Sequence, residues 1–340
     1  MRIDRLVCDH GNRWVKCGLA KLPKRIHKFP SYVKELPSYQ EVPEATESTI
    51  IIEEDDKTYV IGAAAKNMGA APVYMTNKIY FTALLTKAAI VSIETKERTI
   101  SVDTVVITVP DHRAPEARNL KEQIEGKHEY VLNGQIREVT IDRVIIVDET
   151  FPAFKAAIGG LDGQPPLITV QPSIQKYGVI DFGGGTVLAA QYVVDPSGQV
   201  TKNSQKDYIG KNQGTMQLAS EVNAYLTPIL GRPVSTDDIM DAVEQAHRSP
   251  APHRYILAGS GTDFTEEYNN AFKEWANTQL HKIFTLWSND MDIMGPVAVI
   301  GGSANLFKQF ILDMNLSDQY RIPDHPETFS IRALMEGYTR

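Results

Sequence analysis

Two aspartates stand where phosphate chemistry would want them. Asp9 ends the apolar run Leu6-Val7-Cys8 and leads into His10-Gly11-Asn12-Arg13. Asp181 ends Gly178-Val179-Ile180 and leads into Phe182-Gly183-Gly184-Gly185-Thr186. In each case a second apolar run follows, so each segment reads as strand, tight turn, strand. A glycine-bearing turn can aim several backbone N–H groups at one point, and such a nest binds phosphate oxygens. Glycine is needed there because a Cβ would block the approach. An aspartate at the adjoining strand end can hold a hydrated Mg²⁺, which takes one or two carboxylates and keeps several waters. Two opposed hairpins of this kind would clamp a triphosphate and its metal.

A lone Asp-x-Gly is weak evidence, because turns favour both residues. The pair at domain-scale spacing is stronger. After each hairpin, a long stretch leads to a buried strand that emerges into a loop: Val105 to Pro110 in the first half, Val297 to Gly301 in the second. This internal repeat implies two similar domains facing each other. Gly301-Gly302-Ser303 follows the second of these strands and permits a further close approach, suited to a nucleoside.

The elements that must position these residues follow from periodicity. Val102 to Val109 is a nearly continuous β-branched run, the pattern of a strand covered on both faces. Val144 to Val147 is another, ending in Asp148-Glu149. Asn133-Gly134 and Asp55-Asp56 mark hairpins. Helical spacing runs from Asn77 to Ile93, with Asn77 as N-cap, from Pro115 to Glu125, from Gly214 to Leu226, and from Asp237 to His247 with Ser235 or Thr236 as cap. A long helix spans Glu266 to Ser288, with Tyr268, Phe272, Trp275, Ile283 and Trp287 forming a core stripe. Another helix starts at Asn305, and a short one lies near Ala333 to Gly337. Pro23, Pro30, Pro37 and Pro43 make residues 21–48 a loop or a broken edge. The basic cluster Lys21, Lys24, Arg25 and Lys28 within it reads as a solvated loop, with a contact surface for a neighbouring subunit as the alternative.

The totals bound the function. The chain has 340 residues, 42% hydrophobic and 23% charged, enough to bury a substantial core. Its net charge is -7 with no long basic block, so direct nucleic-acid binding through phosphate neutralisation is not expected. Two cysteines, Cys8 and Cys17, exclude a disulfide framework and a Cys-x-x-Cys zinc site, and read as small buried hydrophobes. The N-terminus lacks the pattern of a signal peptide, and no apolar run approaches a bilayer span, so the expected location is cytoplasmic.

These motifs resemble the actin, Hsp70 and sugar-kinase superfamily. Asp9 to Lys16 is similar to its first phosphate motif, Asp181 to Thr186 to its second, and Val299-Ile300-Gly301-Gly302-Ser303-Ala304-Asn305 to its adenosine motif. Within it, Val109-Pro110, Asn119-Leu120-Lys121, Leu132-Asn133-Gly134 and Val147 to Ala153 resemble the ParM/StbA plasmid-segregation actins in order and spacing. The resemblance implies an α/β, actin-like fold of two RNase H-like domains, mixed sheets flanked by helices, around a nucleotide cleft. Residues 1–160 plus 325–340 would form domain I, with a small insertion at about 21–100, and 161–324 domain II. It implies a Mg-dependent NTPase, using ATP or GTP, that polymerises with itself in the nucleotide-bound state. A DNA-binding adaptor on centromere-like DNA would couple the filament to a plasmid, and hydrolysis would destabilise the polymer.

By the same resemblance, Asp9 and Asp181 would hold Mg²⁺ through water. Gly11, Asn12, Lys16, Gly183, Gly184, Gly185 and Thr186 would bind phosphate. Gly301, Gly302, Ser303 and Asn305 would bind the nucleoside, and Glu149 with Asp181 would serve catalysis. Arg13 stands where the family usually has a small hydroxyl residue, and His10 where it has an acid or amide. The alternatives are a sugar or small-molecule kinase of the same superfamily and an actin-like scaffold unrelated to DNA.

Overall fold

The computed structural model describes residues 1–20, 25–73, 78–247 and 252–339. The chain divides into two compact units, Met1–Leu167 with Thr328–Arg340, and Ile168–Glu327.

The first unit opens with β1 (Arg2–His10) and β2 (Trp14–Leu19), followed by β3 (His27–Pro30), β4 (Val33–Leu36), β5 (Thr49–Glu54), β6 (Lys57–Gly62), α1 (Ala63–Asn67) and α2 (Lys78–Ala89). Then come β7 (Thr99–Val109), α3 (Pro115–Ile124), β8 (Gly126–Leu132), β9 (Gln135–Ile141), β10 (Val144–Asp148) and α4 (Thr150–Gly159). The strands form one mixed sheet in the order β3-β2-β1-β7-β9-β8-β5-β6-β4, with β10 also paired to β7. β1 and β2 are antiparallel, whereas β1, β7 and β10 run parallel.

The β-branched run in β7 is buried on both faces. Val105 and Ile107 join Leu6, Cys8, Leu84, Leu85 and Leu120 on one side. On the other side Val7, Val106 and Val147 pack on Ile331, Leu334 and Met335. The period-2 alternation of a strand makes a continuous apolar run serve two cores at once. Both hairpin signals hold, with Asp55 and Asp56 at φ 51° and 59°, and Asn133 and Gly134 at φ 50° and 73°.

The second unit contains β11 (Lys176–Phe182), β12 (Thr186–Val194), β13 (Val200–Lys202), β14 (Tyr208–Lys211), α5 (Thr215–Leu230), α6 (Thr236–Ala246), α7 (Thr265–Trp287), β15 (Met294–Ile300), α8 (Phe307–Asp313) and β16 (Tyr320–Arg321). Its sheet runs β13-β12-β11-β15-β16, with β14 also paired to β12. β11 and β12 are antiparallel, and β11, β15 and β16 are parallel. The repeat read from sequence is thus a repeat of topology: β2-β1-β7-β10 in one unit matches β12-β11-β15-β16 in the other. Of the α7 stripe, Tyr268, Trp275, Ile283 and Trp287 are buried, and Phe272 is partly buried. Ser235 caps α6, its hydroxyl accepting the Asp237 N–H. A closing helix, α9 (Phe329–Glu336), returns to the first unit and covers β1.

Several expectations change. For residues 21–48, read as a loop or a broken edge, the broken edge is what forms: β3 and β4 lie there, at the two edges of the large sheet, with Pro30 ending one and Pro37 following the other. Edge strands tolerate proline because one side of each lacks a ladder partner. Lys28 sits in β3 with its ammonium 4.0 Å from the centre of the Trp14 ring, while Lys21 and Lys24 lie outside the described residues. The proposed cap Asn77 also lies outside them. The helix expected from Asn305 begins at Phe307, after a 3₁₀ turn at Ala304–Leu306. α4 has no counterpart in the sequence reading. No helix among the described residues is long and apolar enough to cross a membrane.

Candidate nucleotide site

In the first unit the parallel strands β1, β7 and β10 all end at the same edge. Ligands of α/β sheets gather at the carboxyl ends of parallel strands. Asp9 is there, and its Oδ2 accepts the Lys16 ammonium at 2.9 Å while the Thr108 hydroxyl donates to Oδ1 at 3.2 Å. Asp9 and Lys16 are direct cross-strand partners, so antiparallel pairing sets the ion pair. Both side chains are largely buried, 15% and 13% exposed. The turn itself needs glycine, since a Cβ on Gly11 would stand 2.6 Å from the Trp14 carbonyl oxygen. Asn12 is buried at this turn.

The two departures from the family pattern resolve differently. His10 is 1% exposed and points away from the edge, its Nε2 3.2 Å from the Thr86 hydroxyl of α2. It belongs to the core. Arg13 stands 6.0 Å from the Trp14 ring centre, and its carbonyl accepts the Ser31 N–H.

Glu149 follows β10 and begins the first turn of α4, half-buried, with its N–H on the Val109 carbonyl at 2.9 Å. It therefore lies at the same strand edge as Asp9, within the same unit. Asp148, just before it, is 3% exposed and bonded to His112. Asp111, His112 and Asp148 bring ligand-type atoms within 4.8 Å of one another. Arg113 donates Nε to Asp111 at 2.8 Å, so this group reads as ion-paired side chains and not as a metal centre.

The second unit builds its half from backbone. Gly183 N–H closes the hairpin turn on Thr186 O at 2.9 Å. The start of α5 then takes the loop's carbonyls: Thr215 N–H donates to Gly183 O at 3.2 Å and Met216 N–H to Gly184 O at 2.8 Å. A trans peptide points its N–H opposite to its carbonyl. The N–H groups of Gly184 and Gly185 must therefore face away from α5, side by side, as an anion nest requires. Ser303 N–H donates to Phe182 O at 3.0 Å, and the Ser303 hydroxyl lies 3.0 Å from that of Thr215. Phe182 is pinned from below, stacked 3.8 Å from Phe307 of α8.

Asp181, Gly183, Gly184, Gly185, Thr186, Gly301, Gly302 and Ser303 thus converge within this unit. Gly301 has φ 98°, and a Cβ there would meet Asp181 Oδ1 at 2.2 Å and Phe182 O at 2.6 Å. Gly302 faces open space and is exposed. Ser303 is buried with its hydroxyl spent on Thr215, so its side chain holds the loops together. Asn305 sits half-buried in the following 3₁₀ turn.

Sequence reasoning took Gly214 as a helix start and gave neither it nor Thr215 an individual role in the site. A Cβ on Gly214 would lie 2.4 Å from both Gly183 O and Gly184 O. The signal was a glycine at the N-cap position before an amphipathic run. Cys8 and Cys17 are opposite each other on β1 and β2, fully buried, and burial pushes the Cys17 thiol up to about 12. Such thiols are inert.

The profile of the N-terminal domain of actin-like proteins matches residues 8–151, and that of the Alp7A C-terminal domain matches residues 250–322. No curated protein matches the chain in sequence. Among solved structures, the chain is similar to a 15-stranded ParM filament from Clostridium botulinum, with TM-score 0.78, 15% identity and 98% of each chain covered. It is similar to actin-like protein Alp7A at TM-score 0.75 and 12% identity, over 100% of this chain and 96% of that one. The archaeal actin homologue Ta0583 aligns at TM-score 0.74 and 14% identity, over 99% and 98%.

Proposed function

Because the chain belongs to the actin-like proteins, we propose that it is a Mg-dependent ATPase or GTPase that polymerises with itself and positions plasmid or other DNA. The observation that carries this reading is the doubled hairpin: an aspartate at a parallel-strand end, followed by a glycine turn, in both units. Each hairpin carries the groups that would meet a nucleotide phosphate. The donor set fits a hydrated Mg²⁺, since Asp9 offers hard carboxylate oxygens with Lys16 and Thr108 fixing their orientation. Asp9 and Asp181 are the carboxylates that would hold Mg²⁺ through its waters, and the ion would supply charge neutralisation along the phosphates.

The chain's own groups do the rest. Lys16 adds positive charge, Gly11 and Asn12 lie against the β- and γ-phosphates, and the Gly183–Thr186 turn presents its N–H groups. Gly301, Gly302 and Asn305, with the loop that Ser303 holds in place, receive the nucleoside. Glu149 orients the attacking water, a role open to a carboxylate at a strand end. Filaments are the state of the Clostridium botulinum ParM relative and of Alp12, which supports self-assembly here. The net charge of -7 points to an adaptor protein, rather than this chain, as the group that touches DNA.

Light scattering and phosphate release, followed together after adding Mg-ATP or Mg-GTP, test the reading. Scattering should rise with nucleotide and fall as phosphate appears. Hydrolysis that waits for an added sugar would establish a kinase instead, and a stable polymer without turnover would establish a scaffold. Glu149→Ala should bind nucleotide and assemble while losing about 10²-fold or more in turnover. Normal phosphate release from that folded variant removes Glu149 from the mechanism.

A further inference from the structure

The carboxyl edge of the first unit carries a histidine that the reading above leaves unused. His112 lies in the loop leaving β7, ahead of α3, and Asp148 ends β10 beside it. Oδ1 of Asp148 accepts the His112 backbone N–H at 2.7 Å and lies 2.8 Å from His112 Nδ1. A carboxylate can only accept, so Nδ1 carries the proton and Nε2 is the bare, basic nitrogen. The acid is 3% exposed while the imidazole is 49% exposed. The backbone N–H alone would suffice to fasten the loop. The second bond, to the ring, fixes one tautomer and one ring orientation, the arrangement by which hydrolytic sites hold a proton acceptor.

The surroundings fit that task. Asp148 stands opposite Val109 in the β7–β10 ladder, and the next residue, Glu149, donates its N–H to that same Val109. One turn of two adjacent strands thus carries His112, its orienting acid and the candidate water-positioning carboxylate. Two carboxylates face the ring, Asp148 from the end of β10 and Asp111 from its own loop, with ligand-type atoms within 4.8 Å of one another and of the imidazole. Asp111 is shared with Arg113 at 2.8 Å, and Asp148 makes the hydrogen bond to the ring.

The geometry points to His112 as the acceptor of the proton released on hydrolysis, with Asp148 as its positioning residue; this rests on the nucleotide hydrolysis proposed above. Water oriented by Glu149 attacks the γ-phosphorus. The bond from that phosphorus to the β,γ-bridging oxygen breaks, and its electron pair leaves with the nucleoside diphosphate. The proton of the water passes to Nε2 of His112 and on to solvent, and Asp148 stabilises the transient imidazolium. A carboxylate of ordinary acidity, near pKa 4, cannot keep that proton at neutral pH, whereas an imidazole can.

Phosphate release by wild type, His112→Gln and Asp148→Asn, measured beside nucleotide affinity and melting temperature, tests the assignment. His112→Gln should be slower by about 10²-fold at neutral pH and bind nucleotide normally. Asp148→Asn should also slow turnover with nucleotide affinity kept, because the ring loses the acid that orients it. An unchanged rate in folded His112→Gln overturns the inference and leaves the nucleotide reading standing. No phosphate release from wild type with either nucleotide overturns both. Nitrogen NMR of wild type needs no variant: the proton on Nδ1 at neutral pH is required, and the opposite tautomer overturns the assignment.

Discussion

The hairpins of β1–β2 and β11–β12 share a sequence pattern and a strand pairing, yet they treat their aspartates in opposite ways. In the first unit Asp9 faces Lys16 across the ladder and forms an ion pair with it. In the second, the residue opposite Asp181 is Leu188, and no lysine takes that place. The second unit relies on main chain instead: three N–H groups, from Thr215, Met216 and Ser303, tie down the carbonyls of Phe182, Gly183 and Gly184. One unit presents a side-chain cation and the other an array of main-chain dipoles. In the proposed function, the Lys16 ammonium would turn from Asp9 to an arriving phosphate. A main-chain array cannot move, but it costs no reorganisation when charge arrives. The two halves should therefore differ sharply in which substitutions they tolerate.

The largest effects should come from adding a methyl group to the main-chain half. Gly214→Ala would place Cβ 2.4 Å from two carbonyl oxygens, and Gly301→Ala would place it 2.2 Å from Asp181 Oδ1 at φ 98°. Each should destabilise the second unit by about 3 kcal/mol, combining overpacking with backbone strain. Gly11→Ala in the first unit meets one carbonyl at 2.6 Å, within its own turn, and should cost less, about 1–2 kcal/mol. Thermal and urea unfolding measure all three. Equal losses for Gly11 and Gly214 would erase the distinction between the halves.

Next in size is the Asp9–Lys16 pair. Lys16→Met leaves a largely buried carboxylate without its cation and should cost about 1–3 kcal/mol, less than the full value for a fully buried pair. Asp9→Asn with Lys16→Met should recover most of that loss, which a double-mutant cycle in urea reads directly. A coupling near zero would mean that the pair behaves as an exposed one, and the first unit would have no special electrostatic device.

Much of this was legible in the sequence, for reasons that differ by residue. The Val102–Val109 run, the Asn133-Gly134 turn and the doubled Asp-led hairpin announce themselves because strand burial and turn geometry are local demands. α4 did not, because Pro152 looks like a breaker; it occupies the first turn, where its missing N–H costs nothing. β13, β14 and β16 are two to four residues long, too short for a periodic signal. Gly214 reads locally as a helix start, and only the fold shows the carbonyls of Gly183 and Gly184 at its back. His112 and Asp148 lie 36 residues apart and meet through the parallel pairing of β7 with β10. Local patterns reveal which residues are special, and tertiary pairing reveals what they are special for.

The smallest expected change in stability is the most informative about ligand. Gly302 neighbours Gly301 in sequence, yet an added Cβ there would meet nothing within 4 Å, and no left-handed backbone requires glycine. Among the described residues, none accounts for the absence of a side chain at this position. Gly302→Ala should leave the unfolding free energy within about 0.5 kcal/mol of wild type, as for a surface substitution. If a nucleoside closes against this strip of main chain, the same methyl group stands in its way, and Mg-nucleotide affinity should fall by roughly tenfold, about 1.4 kcal/mol. Set beside Gly301→Ala, the variant separates a glycine kept for folding from one kept for binding. Titration of folded Gly302→Ala with Mg-ATP and Mg-GTP reads it. Unchanged affinity for both would move the nucleoside away from the Gly301-Gly302 strip and leave the main-chain half of the site with the phosphates alone.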